Sequence, residues 1–142
     1  MRPRHRAEGG RVVVADIDGS ATIACTAQIT AEAGHALALA MDIADAQAVA
    51  ALFQTAERHF GEVGCVNNAS YASDPARARD ARPGSGGLDQ TMATNLRGTL
   101  LCCRQAIRRL IARGGGAIVN MSSCQGSAVT PPRRPTPRRR RR

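Results

Sequence analysis

The chain has 142 residues, 43% of them hydrophobic, which predicts one folded domain rather than a disordered chain. No stretch is long and apolar enough to span a membrane, and residues 1–10 lack the apolar core of a signal peptide, so a cytoplasmic protein is expected. The formal net charge is +9, but seven arginines in the last ten residues supply most of it. The five cysteines, at positions 25, 65, 102, 103 and 124, match no zinc-binding spacing, so no metal site is expected and all are interpreted as free thiols.

The first third of the chain alternates short apolar runs with a helical segment. Residues 11–17 (RVVVADI) form a β-branched run, which is typical of a buried parallel strand. Ser20 is predicted to be the N-cap of a helix over residues 21–33, and Gly34 is placed to end that helix. Residues 35–43 (HALALAMDI) place Leu37, Leu39 and Met41 on one face at every second position, which predicts a second strand.

The middle of the chain predicts a second helix and a third strand. Asp45 can cap a helix that ends at Gly61, with an apolar stripe at spacings of three and four formed by Val49, Leu52, Phe53, Ala56 and Phe60. Residues 63–66 are predicted to form a short strand. Residues 71–87 are polar and contain Pro and Gly, so they are predicted to be a loop.

A long helix is predicted over residues 88–112, followed by a fourth strand over residues 117–121. The predicted apolar stripe of this helix is Leu88, Met92, Leu96, Leu100, Cys103, Ile107 and Leu110, and Arg97, Arg104 and Arg108 point the other way. Strands that alternate with helices indicate right-handed crossovers and a parallel sheet. The fold class is therefore α/β, a partial doubly wound sheet of the Rossmann type.

In such a sheet the ligand lies across the carboxyl ends of the strands. Asp16 ends the first strand, where its carboxylate can accept hydrogen bonds from adenosine ribose hydroxyls and would repel a 2′-phosphate, which favours NAD over NADP. A solvated acid in a turn is the alternative interpretation of Asp16. Asp42 and Ile43 follow the second strand and could hold the edge of an adenine and cover its face.

Polar and small residues also follow the third and fourth strands. The segment 67–70 (NNAS) suits a strand end where side chains tie neighbouring backbones and the chain passes close to a ligand. Ser122 or Ser123 could donate a hydrogen bond to a substrate carbonyl. Asn95 lies within the long helix, either as a satisfied local amide or as a water-binding one.

These segments together resemble the short-chain dehydrogenase/reductase family over residues 8–126. The most specific matches are Asp16, the Asp42–Ile43 pair, NNAS at 67–70, NLRG at 95–98 and GGGAIVNMSS at 114–123. The resemblance implies an oxidoreductase that moves a hydride between NAD and an alcohol or ketone. It implies that Asp16 binds the adenine ribose, that Asp42 and Ile43 flank the adenine, and that Asn68 and Ala69 line the cofactor pocket. It further implies catalytic roles for Asn95, which would hold a water of the proton relay, and Ser123, which would orient the substrate.

The sequence departs from the family at both ends, which predicts a member that is truncated and inactive. The glycine-rich TGxxxGxG turn that binds the pyrophosphate is absent, and so is the strand that precedes it. The family's catalytic YxxxK pair is absent too, because Thr136 stands where its tyrosine is expected and the chain contains no lysine. Tyr71 lies too early in the chain to replace that tyrosine. The missing first strand would lie between the first and third strands predicted here, and its absence would leave both with an open edge.

Three regions are expected. Residues 1–10 form a basic leader that resembles the end of a lost first helix, residues 11–130 form the partial dinucleotide-binding domain, and residues 131–142 form a disordered tail rich in Pro and Arg. The tail begins so abruptly that a disrupted reading frame is one explanation. Two alternative functions stay open: a non-catalytic protein that pairs with an intact family member, or itself, through helix 88–112, and a nucleic-acid binder that uses the basic tail. The tail lacks the aromatic residues that stack on bases, so the second alternative is disfavoured.

Overall fold

A computed structural model of the chain describes residues 10–71 and 86–122. In this part of the chain, strands and helices follow one another in the predicted order. The strands are β1 (Arg11–Asp16), β2 (His35–Ala40), β3 (Cys65–Asn67) and β4 (Ile118–Asn120). The helices are α1 (Gly19–Ala31), α2 (Ala46–Phe60), α3 (Gly86–Thr91) and α4 (Thr99–Ala112), and a π-helical segment (Met92–Gly98) joins α3 to α4. The predicted tail and nearly all of the predicted leader lie outside the described residues.

The strands pair in parallel, as predicted. β1 pairs with β2 over its whole length, so that Asp16 lies opposite Ala40. β3 pairs with β4, and Asn67 lies opposite Asn120. Within the described residues these pairs form two separate two-stranded sheets, and one edge of β1 and one edge of β3 have no neighbouring strand. No strand of the described residues lies between β1 and β3.

The N-terminus of α1 differs from the prediction, because Ser20 is not its N-cap. Asp18 caps the helix instead: its Oδ1 accepts hydrogen bonds from the backbone N–H groups of Ser20 (2.9 Å) and Ala21 (3.0 Å). The hydrogen bond from the Ser20 hydroxyl, together with these backbone hydrogen bonds, lowers the pKa of Asp18 from its ordinary value. A carboxylate satisfies two backbone donors of the first turn at once, so the helix begins one residue after Asp18.

The C-terminus of α1 also differs in detail. The helix ends at Ala31, and Ala33 rather than Gly34 adopts the left-handed backbone conformation, with φ of 61°. Gly34 donates its N–H to the carbonyl of Ile29 at 3.0 Å. A Cβ at Gly34 would lie only 2.7 Å from the Ile29 side chain, so the glycine is needed here for close packing rather than for its backbone freedom.

Helix α2 confirms both predicted ends and its predicted apolar stripe. Asp45 caps it by accepting hydrogen bonds from the N–H groups of Gln47 (2.8 Å) and Ala48 (3.3 Å). Gly61 ends it with φ of 78°, which an L residue rarely adopts. The predicted stripe faces inward, with Val49, Phe53 and Ala56 buried and Leu52 and Phe60 half-buried.

The long helix is present, but the prediction of its buried face was wrong. Five members of the predicted stripe are exposed, with relative exposures between 45% and 66%: Leu88, Met92, Leu96, Leu100 and Ile107. Of the predicted stripe, Leu110 is buried and Cys103 is half-buried. The buried residues recur at intervals of four: Gly98, Cys102, Ala106 and Leu110. The first three are small, which lets the helix lie close to α2 and to the loop after β2. The π-helical segment widens the turn before α4, so a single helical period does not describe residues 88–112.

The core lies between α2 and α4. Its buried members are Val49, Phe53, Cys102 and Ala106. Arg109 closes one side of this core: its Nε lies 2.8 Å from a carboxylate oxygen of Glu57, and its guanidinium lies 5.1 Å from the centre of the Phe53 ring. The helices thereby hold the two sheets in one body although no described strand joins them.

Candidate functional site

The exposed carboxylate of Asp16 lies where the carboxyl ends of β1 and β2 meet. The backbone carbonyl of Asp16 accepts a hydrogen bond from the N–H of Met41 at 2.8 Å, which fixes the end of β1 against the residue after β2. The side chain of Asp16 is exposed, and its Oδ1 accepts a hydrogen bond from the N–H of Asp18 at 3.1 Å. Its second oxygen accepts no hydrogen bond from the described residues, so it is available to a ligand.

Asp42 and Ile43 form a half-buried turn after β2. Oδ1 of Asp42 accepts a hydrogen bond from the N–H of Ala44 at 2.8 Å, which holds the carboxylate in place. Ile43 packs against Gly98 at the end of the π-helical segment, where a Cβ would lie 2.6 Å from Cγ1 of Ile43. The role of this glycine could not be predicted from the sequence, since close packing between distant segments leaves no local pattern.

Asn67 ties β3, β4 and α4 together. Its Nδ2 donates hydrogen bonds to Oδ1 of Asn120 (2.7 Å) and to Sγ of Cys103 (3.2 Å). The Cys65 thiol donates to Oδ1 of Asn67 at 3.5 Å. The expectation that this asparagine ties neighbouring segments agrees with these contacts, whereas the participation of Asn120 and Cys103 was missed. The signal that could have found Asn120 is its equivalent place at the end of the neighbouring strand.

Two cysteine thiols in this region, those of Cys65 and Cys102, have raised pKa values. Burial, and next the neighbouring thiols of Cys102 and Cys103, raise the pKa of Cys65 to about 12. Burial and the Cys103 thiol also raise the pKa of Cys102. Four cysteines, at 25, 65, 102 and 103, are free, and Cys124 lies outside the described residues. The thiols of Cys65 and Cys102 are poor nucleophiles near neutral pH, because the thiolate is the reactive form.

Asn68 and Ala69 lie at the mouth of a cavity between the two sheets. The cavity has a volume of about 590 Å³ and is lined by β1 on one side and by β3 with the following residues on the other. Asn68 is exposed, and its side chain makes no hydrogen bond with the described residues. The structure thus places Asn68 and Ala69 across the cavity from the end of β1.

Asn95 lies in the π-helical segment, where its side-chain amide makes two hydrogen bonds with the backbone of Tyr71. Its Oδ1 accepts a hydrogen bond from the N–H of Tyr71 at 2.7 Å, and its Nδ2 donates to the carbonyl of Tyr71 at 2.9 Å. These contacts are not the local cap that the sequence suggested, because Tyr71 lies 24 residues earlier in the chain. π-Helical turns often occur at functional sites, because they redirect side chains out of the regular helix.

Ser123, the expected substrate-orienting residue, lies outside the described residues. The chain just before it is placed by a hydrogen bond from the N–H of Met121 to the carbonyl of Asn67 at 2.9 Å. Residues 10–71 and 86–122 contain no cluster of His, Cys, Asp and Glu side chains that could hold a metal ion. None of their helices is long and apolar enough to cross a membrane.

Comparisons with known proteins identify the family. Residues 4–133 match the family model described as short chain dehydrogenase. A probable short-chain type dehydrogenase/reductase of Bradyrhizobium diazoefficiens is 78% identical over 121 residues, which cover 84% of this chain and 43% of that protein. The D-threitol dehydrogenase of Mycolicibacterium smegmatis is 33% identical over 116 residues, covering 82% of this chain and 44% of that protein. The chain therefore belongs to the short-chain dehydrogenase family, and it spans less than half the length of these two relatives.

Solved structures show the same fold. A short chain dehydrogenase from Mycobacterium avium superposes with a TM-score of 0.72 at 34% identity, covering 85% of this chain and 46% of that one. An NAD⁺-bound xylitol dehydrogenase superposes with a TM-score of 0.76, covering 87% of this chain and 47% of that one, but at 24% identity it supports the fold alone. The predicted Rossmann-type α/β fold is thus confirmed.

Proposed function

We propose that this chain carries the adenosine-binding part of an NAD site. It would belong to an oxidoreductase that moves a hydride between NAD and a small alcohol or ketone. The observation that supports this most directly is the exposed carboxylate of Asp16 at the end of β1, with one oxygen free of hydrogen bonds from the described residues. A ribose with two adjacent hydroxyl groups can donate to such a carboxylate.

The charge of Asp16 also supports NAD over NADP. Two unit charges of like sign about 4 Å apart repel by about 1 kcal/mol in water, and a phosphate carries up to about two negative charges near neutral pH. The resulting repulsion of about 2 kcal/mol would make the binding of NADP weaker than that of NAD by about tenfold or more.

The neighbouring residues supply the remaining contacts of the proposed adenosine site. Asp42 is held by its hydrogen bond to Ala44 and offers a second carboxylate oxygen toward an adenine edge. Ile43 is fixed against Gly98 and provides an apolar surface for the adenine face. Asn68 and Ala69 lie across the cavity, on the side where the nicotinamide half of the cofactor would continue.

We further propose that the 142-residue chain does not transfer hydride by itself. When bound, NAD supplies the hydride acceptor, and the protein must supply a group that takes the alcohol proton. Asn95 and Ser123 are the proposed catalytic residues in this chain, and neither is an adequate base. A tyrosine assisted by a lysine is expected in this role by family resemblance, and the chain contains no lysine.

The first experiment measures NAD and NADP binding by isothermal titration calorimetry for the wild-type chain and two variants. Asp16→Ala should reduce the affinity for NAD and abolish the preference for NAD over NADP. Asp89→Ala, which removes the same charge from an exposed position in α3, should change neither. Equal affinity of the wild type for both nucleotides, or an unchanged preference in Asp16→Ala, would refute the role of Asp16.

A separate measurement tests the proposed inactivity. NADH formation is followed at high protein concentration with D-threitol and a panel of short secondary alcohols. No turnover above the protein-free rate is expected. Steady turnover that survives repurification would contradict the proposal and would require a proton acceptor other than the tyrosine–lysine pair.

A second candidate function is pairing with another member of the family. The supporting observation is the exposed apolar stripe on the long helix, defined by Leu88, Met92, Leu96, Leu100 and Ile107. Such a continuous exposed stripe is characteristic of an interaction surface. Leu100→Glu should abolish co-purification with a full-length family member, and Arg104→Glu, an exposed change on the same helix, should preserve it. If Leu100→Glu leaves co-purification intact, the stripe is not the surface of contact.

A further inference from the structure

Three cysteine thiols lie together where β3 meets α4. Cys65 is on β3, and Cys102 and Cys103 are consecutive residues of α4. After burial, the neighbouring thiols of Cys102 and Cys103 are the next causes that raise the pKa of Cys65, so the three sulfur atoms are close enough to interact. All three cysteines are free, and the proposed hydride transfer uses none of them.

One side-chain amide connects two of these thiols. The Cys65 thiol donates to Oδ1 of Asn67 at 3.5 Å, and Nδ2 of Asn67 donates to Sγ of Cys103 at 3.2 Å. Cys65 and Asn67 are two residues apart on β3, so their side chains leave the same face of the strand. The oxygen and nitrogen of an amide lie only about 2.2 Å apart. The sulfur atoms of Cys65 and Cys103 are therefore neighbours across the amide of Asn67.

Cys103 is the thiol of this cluster that a small oxidant can reach. It is half-buried, and its thiol donates to Oδ1 of the exposed Asn120 at 3.7 Å. Cys102 is only 5% exposed and belongs to the core between α2 and α4. Consecutive side chains of a helix point about 100° apart, so Cys102 and Cys103 are poorly placed to bond with one another. Cys65, on the facing strand, is the better partner for Cys103.

We propose that Cys65 and Cys103 are a redox-sensitive pair that forms a reversible disulfide between β3 and α4. The oxidant is a small disulfide such as oxidised glutathione. The Cys103 sulfur loses its proton, attacks one sulfur of the oxidant to form a mixed disulfide, and releases one thiolate. The Cys65 sulfur then loses its proton, attacks the Cys103 sulfur and releases the second thiolate. The two released thiolates take up the two protons, so two protein thiols are oxidised and the small disulfide is reduced to two thiols.

The disulfide would change how Asn67 is held. In the reduced chain Oδ1 of Asn67 accepts from the Cys65 thiol, and this donor disappears when the two sulfur atoms bond to one another. Asn67 is half-buried, so the loss of a partner is unfavourable and its amide should reorient. Asn67 also bonds to Asn120 through Nδ2 and to the N–H of Met121 through its backbone carbonyl. Oxidation should therefore alter the carboxyl ends of β3 and β4, and this effect does not depend on nucleotide binding.

The test treats the full 142-residue chain with oxidised glutathione at pH 8 for several hours, because the raised pKa of Cys65 slows the closing step. The remaining thiols are alkylated, and the chain is digested with trypsin and analysed by mass spectrometry without reduction. The expected product joins residues 59–77, which contain Cys65, to residues 98–104, which contain Cys102 and Cys103. Fragment ions that separate Cys102 from Cys103 should assign the bond to Cys103. Dithiothreitol should reverse the reaction.

Three variants and a denatured control test which thiols react. Cys103→Ser keeps a hydroxyl group beside Asn67 and should lower the yield of the linked product by about tenfold or more, because no other thiol is positioned for Cys65. Cys102→Ala should retain the product. Cys25→Ser, which removes a half-buried thiol of α1, is the matched control and should also retain it. The wild-type chain oxidised in urea should show no preferred pair, because only the fold holds these thiols together.

A second measurement tests the effect on Asn67. The side-chain amide signal of Asn67 in the NMR spectrum should shift on oxidation of the wild type and return with dithiothreitol. The same treatment of Cys103→Ser should leave the signal in place. An unchanged Asn67 signal in a chain that has formed the disulfide would refute the effect on the strand ends.

Other results would overturn the pairing itself. A bond assigned to Cys102, or a reaction that stops at the mixed disulfide, would show that Cys65 and Cys103 are not positioned to react. A linked product that forms equally well in urea would show that the fold does not direct it. A chain that is unfolded in buffer would give no preferred pair and would refute the proposal in the same way.

Discussion

Gly98 provides a sensitive test of how the site is assembled, because it brings the π-helical segment against the turn after β2. A Cβ at this position would lie 2.6 Å from Cγ1 and 2.7 Å from Cδ1 of Ile43. Favourable contact between carbon atoms begins at about 3.5 Å, so Gly98→Ala forces Ile43 to move. Ile43 is also the proposed cover of the adenine, and its displacement should weaken NAD binding.

The expected change in stability follows from two opposing contributions. Overpacking typically costs about 1–3 kcal/mol. Gly98 has a helical φ of −59°, so the higher helix propensity of alanine should raise the free energy of unfolding by about 0.8–1 kcal/mol. The net effect of Gly98→Ala is therefore a loss of up to about 2 kcal/mol in the free energy of unfolding.

A double-mutant cycle measured by urea unfolding isolates the contact. In an Ile43→Ala background the two closest atoms are gone and the carbonyl oxygen of residue 43, 3.2 Å from the new Cβ, remains. Most of the cost of Gly98→Ala should therefore disappear, and its helix propensity should bring a gain of less than about 1 kcal/mol. Gly87→Ala is the matched control, since nothing lies within 4 Å of a Cβ there and the substitution should be neutral or stabilising in the wild type. If Gly98→Ala stabilises the wild-type chain as much as it stabilises the Ile43→Ala chain, the close contact does not exist in solution.

Three further predictions concern the frame of the site. Asp18→Ala should lower the urea midpoint of unfolding at pH 7. Because folding lowers the pKa of Asp18, the difference in midpoint between the variant and the wild type should shrink as the pH falls below about 4. A difference in midpoint that stays constant down to pH 2 would contradict this. Cys65, with a pKa raised to about 12, should react with iodoacetamide at pH 8 roughly a thousandfold more slowly in the folded chain than in urea. Mass spectrometry of quenched samples measures both rates. Comparable rates would show that the thiol is not buried. Arg109→Ala removes the ion pair with Glu57 and the contact with an aromatic ring, so it should lower the free energy of unfolding in urea by about 1–2 kcal/mol. Arg108→Ala, at an exposed position, should change the free energy of unfolding by no more than about 0.5 kcal/mol.

The order of the elements and the places where the strands end could be predicted from local sequence patterns. Local patterns suffice for these features: a β-branched run for β1, the Asp45 cap and Gly61 stop for α2, and a stripe at spacings of three and four for its buried face. Asp16 and Asp42 could be placed at neighbouring strand ends for the same reason, because parallel strands with helical crossovers bring their carboxyl ends to one side.

The buried face of the long helix and the contacts that hold the site residues depend on tertiary packing and could not be predicted locally. The period of apolar residues favoured the large side chains of residues 88–107, but the residues buried in this part of the helix are small ones, Gly98, Cys102 and Ala106. The engagement of Asn95 by Tyr71 and the contact of Gly98 with Ile43 join segments that are far apart in the chain. No local signal encodes them, because steric fit and hydrogen bonding between distant segments depend on where the fold brings their backbones together.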